Sequence, residues 1–208
     1  MIDLYTWTTP NGRKVSILLE ELGVPYTTHA IDISKGEQHA PDFLKIAPNN
    51  RIPAIVDRET GTSLMETGAI MIYLAEKYGQ FLPKGADRWP VIEWLMWQMG
   101  GVGPMFGQVH HFVKYNPGKS AYAEERYLDE AKRLYGVLDR KLEGCDYIVG
   151  DYSIADMAVW PWISRFEWQQ IDLTAFPNVA AWYTRIAERP AAQRGYHVPH
   201  FVNDVPQL

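Results

Sequence analysis

Pro53 is the residue that most restricts what this chain can become. It stands just before Ala54-Ile55-Val56, an apolar run that reads as a central β-strand, and a trans proline has no evident purpose there. Only about 5–6% of X-Pro bonds are cis, so a cis Ile52–Pro53 bond would be a selected feature. It would turn the backbone of Ile52 outward, leaving its N–H and C=O to pair with an extended peptide. Glu59-Thr60-Gly61 supplies turn chemistry, and Ser63-Leu64-Met65 reads as the returning strand of a hairpin. Thr67 is then a candidate helix N-cap, followed by Ile70, Tyr73, Leu74 and Tyr78 at helical spacing. Glu66 and Thr67 offer a carboxylate, a hydroxyl and the N–H groups of a helix start, which attract an anion. Peptide edge, amine acceptor and carboxylate cradle suit a small zwitterionic peptide.

The flanking segments place that stretch in a fold. Ile2 to Tyr5 reads as a strand, and a loop from Thr6 to Gly12 leads into a helix. That helix carries Val15, Leu18, Leu19 and Leu22 on one face and stops at Gly23 and Pro25. Tyr26 to Ile31 is a second strand, Lys35 to His39 a polar loop, and Pro41 to Ile46 a short helix. The order β-α-β-α-β-β-α over residues 1–79 predicts a thioredoxin-like α/β domain with a right-handed β-α-β crossover and an antiparallel closing hairpin. Gln80 to Arg88 reads as a linker (80–88), and residues 89–208 form an all-α domain. There Ile92, Leu95, Met96 and Met99 make one stripe, which Gly100 to Pro104 kinks or ends. Leu128, Ala131, Tyr135, Leu138 and Leu142 make the next. Ser153-Ile154-Ala155-Asp156 is a capping box that starts a buried helix and carries no chemistry. Val179, Trp182, Tyr183 and Ile186 mark the last amphipathic helix.

Composition narrows the partners. A net charge of −5, without a long like-charge block, argues against nucleic acid or an anionic membrane as the main partner. No apolar run has the length of a membrane span, and the Met1-Ile2-Asp3-Leu4 start lacks signal-peptide regions, which predicts a cytoplasmic protein. One cysteine, Cys145, excludes an internal disulfide, a C-x-x-C pair and a thiolate zinc site. It reads as a passive small hydrophobe. His110 and His111 are adjacent and face different directions on a helix, so no metal is expected there. Sulfur chemistry would therefore have to use a ligand's sulfur.

The thioredoxin-like half, the Ile52-Pro53 loop, Glu66-Thr67 at a helix start and the helical half with its capping box together resemble a glutathione transferase. The resemblance spans the whole chain. Thr9-Pro10-Asn11-Gly12, Ser34-Lys35-Gly36-Glu37-Gln38, Pro48-Asn49-Asn50-Arg51-Ile52-Pro53 and Trp97 to Met105 resemble the bacterial Nu class, as do Gln108, His110-His111-Phe112 and Glu125-Arg126-Tyr127. That class implies a homodimer that binds reduced or oxidised glutathione and reduces disulfides. By the same resemblance Thr9 and Asn11 approach the glutathione sulfur and are the catalytic residues. Gln38 would contact the glycine carboxylate, and Asn50, Ile52, Pro53, Glu66, Thr67 and Arg126 complete the binding set.

A hydroxyl and an amide can each donate to a thiolate, and a helix N-terminus adds positive potential, so the thiol pKa would fall below its free value of about 8.5. Asn11 is also a candidate helix N-cap, Arg126 a solvated helix residue, and Tyr5 and Trp7 core or pocket wall. Three functions stay open: a glutathione-dependent disulfide reductase with peroxidase activity, a transferase conjugating glutathione to carbon electrophiles, and a non-catalytic binding or regulatory module. The first is expected, because no Tyr or Ser resembling the usual thiol activator is in place.

Overall fold

The computed structural model describes residues 1–208. Met1–Leu82 and Glu188–Val205 make one compact unit; Pro83–Ala187 and Pro206–Leu208 make the other.

In the first unit β1 (Ile2–Thr6), α1 (Pro10–Leu22), β2 (Tyr26–Ala30), α2 (Pro41–Ile46), β3 (Ala54–Asp57), β4 (Thr62–Met65) and α3 (Thr67–Tyr78) follow in the expected order. The strands lie side by side as β2-β1-β3-β4. β1 runs parallel to β2 and antiparallel to β3, and β3 pairs antiparallel with β4. Ile2, Leu4, Ala54 and Ile55 are fully buried along the central strands. Phe43 and Ala47 of the α2 region pack on Ala54, with Tyr5, Ile52 and Met65 against them.

Two helix starts differ from expectation. Thr9, not Asn11, caps α1: its hydroxyl accepts the Gly12 N–H at 3.1 Å. Pro10 takes the first helical position, where its missing N–H costs nothing, and so Asn11 lies inside the helix. Glu66 precedes α3 at φ 71° without a side-chain cap, so Thr67 is the first helical residue rather than the cap.

α1 is buried on more sides than its apolar stripe suggests, because the helix Pro190–Tyr196 packs along it. Arg13 lays its guanidinium 3.4 Å over the Tyr196 ring and donates from Nε to the Tyr196 carbonyl at 3.0 Å. Ser16 donates to the Gly195 carbonyl at 2.6 Å. A Cβ on Gly195 would meet the Ile17 backbone at 2.6 Å, so only glycine allows this approach.

The second unit is helical: α4 (Arg88–Trp97), α5 (Gly103–Val109), α6 (Ala121–Lys141), α7 (Ile154–Ile163) and α8 (Pro177–Ala187). Gly100 to Pro104 does not end the first rod. A π-helical segment, Gln98–Val102, joins α4 to α5, and a second, His110–Tyr115, follows α5. The wider turn moves the carbonyl that the Pro104 ring would otherwise meet. Val91, Leu95, Gln98 and Val102 form the buried stripe, whereas Met96 is 46% exposed. The periodic reading had placed Met96 inside because it passed over Gln98, a polar residue that is fully buried.

α7 is buried throughout and begins with the expected capping box. Asp156 accepts from the Ser153 N–H at 3.0 Å, the Ile148 N–H at 2.9 Å and the Trp182 indole at 2.9 Å. His110 is buried and His111 exposed, as adjacent helical positions require. Burial, helped by the Arg165 charge, holds His110 at about 4 and hence neutral.

Candidate functional site

Strand register gathers the expected residues of the first unit. Tyr5 pairs with Ala54, Ala54 with Met65, and Thr6 with Ala30. The segments after β1, after β2 and after β4, and the segment before β3, therefore all emerge at one end of the sheet. They carry Thr9 and Asn11, Gln38, Asn50 to Pro53, and Glu66 with Thr67.

At the head of α1 the Thr9 oxygen accepts from Gly12, which leaves its hydroxyl proton for an outside acceptor. A Cβ on Gly12 would lie 2.2 Å from the Trp7 carbonyl, so this turn closes only around glycine. Asn11 is half-buried in the first turn, where the helix dipole is positive. Across the sheet end, the Ile52–Pro53 bond is cis, as the sequence predicts.

Gln38 and Asn50 are linked through a residue that the sequence reading passed over. Gln38 lies on the single turn Glu37–His39, with its amide nitrogen 3.4 Å from His39 Nε2. Asn50, at φ 47°, places its amide 3.3 Å from His39 Nδ1. The second amide atom of Gln38 is buried without a protein partner. A half-turn of that amide makes the unpartnered atom an N–H donor, a suitable contact for a carboxylate.

Glu66 is exposed and carries no cap bond, so its carboxylate faces solvent at the start of α3. Thr67 beside it is only 7% exposed. Lys14, from α1, is 2% exposed and donates from Nζ to Thr67 Oγ1 at 3.3 Å. Burial pulls its ammonium down to about 7, against the attraction of Glu66. Lys14 also escaped the sequence reading. The only sign of it was a lysine next to the apolar stripe of α1, one residue ahead of Val15.

Arg126 is exposed on α6 in the second unit, in a groove of about 750 Å³ with Met105, Tyr122, Glu130 and Arg133. Cys145 belongs to the same unit and lies exposed after α6. Tyr5 is stacked on His29 at 4.5 Å and Trp7 meets His200 edge-on at 4.8 Å, both half-buried.

Residues 1–76 match the model of the glutathione S-transferase N-terminal domain, and residues 102–190 match that of the C-terminal domain. The chain belongs to the glutathione transferase family. As a glutathione transferase it is 48% identical over 198 residues to the disulfide-bond oxidoreductase YfcG of Escherichia coli, with 92% of each chain covered. A glutathione transferase from Burkholderia graminis, solved with two glutathione molecules per subunit, superposes with a TM-score of 0.90 at 44% identity, over 95% of this chain and 88% of that one. A Pseudomonas putida relative, holding one glutathione disulfide per subunit, gives 0.90 at 43% identity, over 95% and 91%. The thioredoxin-like domain with its helical companion is thus the transferase architecture, and the end of the sheet carrying Thr9, Pro53 and Glu66 is its candidate ligand site.

Proposed function

We propose that this glutathione transferase is a glutathione-dependent disulfide-bond oxidoreductase whose reacting sulfur all belongs to its ligands. The observation that carries the reading is a site able to hold a peptide and a thiolate in a chain with one cysteine, Cys145, and so no dithiol of its own. The names of the relatives, and the glutathione or glutathione disulfide in their structures, support the same reading.

In this reading the cis-Pro53 loop presents the Ile52 backbone to the peptide, Glu66 accepts the ammonium, and Thr67 with the first turn of α3 receives the α-carboxylate. Gln38, with Asn50 nearby, receives the glycine carboxylate. Thr9 and Asn11 donate to the sulfur and favour its thiolate. The thiolate attacks a substrate disulfide, forming a mixed disulfide and releasing one substrate thiolate. A second glutathione thiolate then attacks the glutathione sulfur of the mixed disulfide, releasing the other substrate thiolate and glutathione disulfide. The same thiolate attacking a peroxide oxygen would break the O–O bond, releasing water or an alcohol and forming a glutathione sulfenic acid, which a second glutathione thiol converts to glutathione disulfide and water.

The protein acts as a homodimer in the cytoplasm, a compartment where protein thiols such as Cys145 stay reduced. The deciding measurement compares reduction of hydroxyethyl disulfide with conjugation of chlorodinitrobenzene, both at saturating glutathione. Disulfide reduction should dominate by at least about tenfold, a margin of roughly 1.4 kcal/mol in barrier. A dominant conjugation rate would make the protein a carbon-electrophile transferase, and no turnover in either assay, despite glutathione binding, a binding module.

A further inference from the structure

Lys14 is a cation buried in the first unit, and its neighbours explain where it points. It lies one turn into α1, and its Nζ reaches across to the first residue of α3, 3.3 Å from Thr67 Oγ1. Glu66 is the charged group whose attraction acts on it. Of the other ionic groups on the packed elements, Arg13 lies on the Tyr196 ring, Glu20 pairs with Arg194 and Glu21 with Arg189, each at 2.7 Å, and Lys77 pairs with Asp57, while Glu76 also lies on α3. A positive charge so deep has a high desolvation cost unless an anion offsets it. Thr67 stands at a helix start suited to a second anion.

We propose that Lys14 is a positioning residue for the α-carboxylate of the bound ligand, working through Thr67. The Nζ contact holds the Thr67 side chain at the first turn of α3, where the carboxylate would arrive. The ammonium behind it adds to the positive end of α3. The proposal rests on the glutathione reading of the site.

A consequence is proton uptake on binding. In the ligand-free protein burial holds Lys14 at about 7, so above neutral pH the amine is largely uncharged. A carboxylate arriving at Thr67 favours the ammonium, raises its pKa in the complex and draws in a proton. Affinity then falls as pH rises above 7, by up to about tenfold per pH unit until the raised pKa is reached.

The test is isothermal calorimetry with glutathione disulfide, which has no thiol to titrate, at pH 7.5 in phosphate and in Tris. Buffers of different ionisation enthalpy report the protons exchanged. Wild type should take up more than half a proton per site. Lys14→Met should bind at least about tenfold more weakly with that uptake abolished. Lys14→Arg, if it folds, should recover affinity without the uptake. Binding by wild type without proton uptake overturns the role of Lys14. So does a Lys14→Met protein that keeps the uptake, since the proton then goes to another group. No binding by wild type overturns the glutathione reading itself, and this proposal with it.

Discussion

Asn11 and Cys145 separate ligand sulfur from protein sulfur at the scale of single residues. Cys145 is exposed in the second unit, and the chain offers it no resolving partner. Cys145→Ser should therefore keep nearly full disulfide-reductase activity. Asn11→Ala removes one of the two proposed thiolate donors from the head of α1 but leaves Thr9 and the helix dipole. Its turnover should fall about tenfold, as expected for one hydrogen bond of roughly 1–2 kcal/mol. Steady-state reduction of a small disulfide at saturating glutathione measures both. A folded, glutathione-binding Cys145→Ser protein without activity would sink the mechanism. Thr9→Ala is the poorer probe, because the Thr9 hydroxyl also caps α1 and its loss costs the helix about 1 kcal/mol.

Among the elements, α7 shows how a locally readable motif acquires a non-local role. Ser153 and Asp156 close a capping box that four consecutive residues are enough to predict. The Asp156 carboxylate also receives the Ile148 N–H and the Trp182 indole, from segments that no spacing rule joins to it. Truncating it leaves several buried donors unsatisfied at once. Asp156→Ala should lower unfolding free energy by about 3–5 kcal/mol, against about 1 kcal/mol for Ser153→Ala. Urea denaturation followed by Trp fluorescence makes the comparison. Near-equal losses would reduce Asp156 to an ordinary cap. α1 teaches the same lesson in the other unit, where the partner helix Pro190–Tyr196 lies far along the chain.

For the molecule as a whole, the open question is assembly. Trp89 is 64% exposed, Met96 46% and Tyr122 74%, apolar surface that water disfavours and an isologous contact would cover. Light scattering at micromolar concentration should give the mass of two chains, near twice 23.8 kDa. A stable monomer would contradict the homodimer.

Local information carried much of this protein. The thioredoxin-like order, the cis-Pro53 loop, Glu66-Thr67 at a helix start and the α7 capping box each depend on neighbours within a few residues, so periodicity and turn chemistry expose them. The helix starts at Thr9 and Glu66 went astray by one or two positions, since proline preference and a left-handed φ compete with cap preference there. What stayed hidden depends on who meets whom across the chain. Lys14 reads as a solvated lysine until α3 sets Thr67 against it, and His39 reads as a loop residue until Asn50 arrives beside it. Arg13 and Ser16 read as polar surface until Gly195 and Tyr196 cover them. Burial and charge are properties of a packed neighbourhood, and for these residues that neighbourhood comes from distant parts of the chain that only folding brings together.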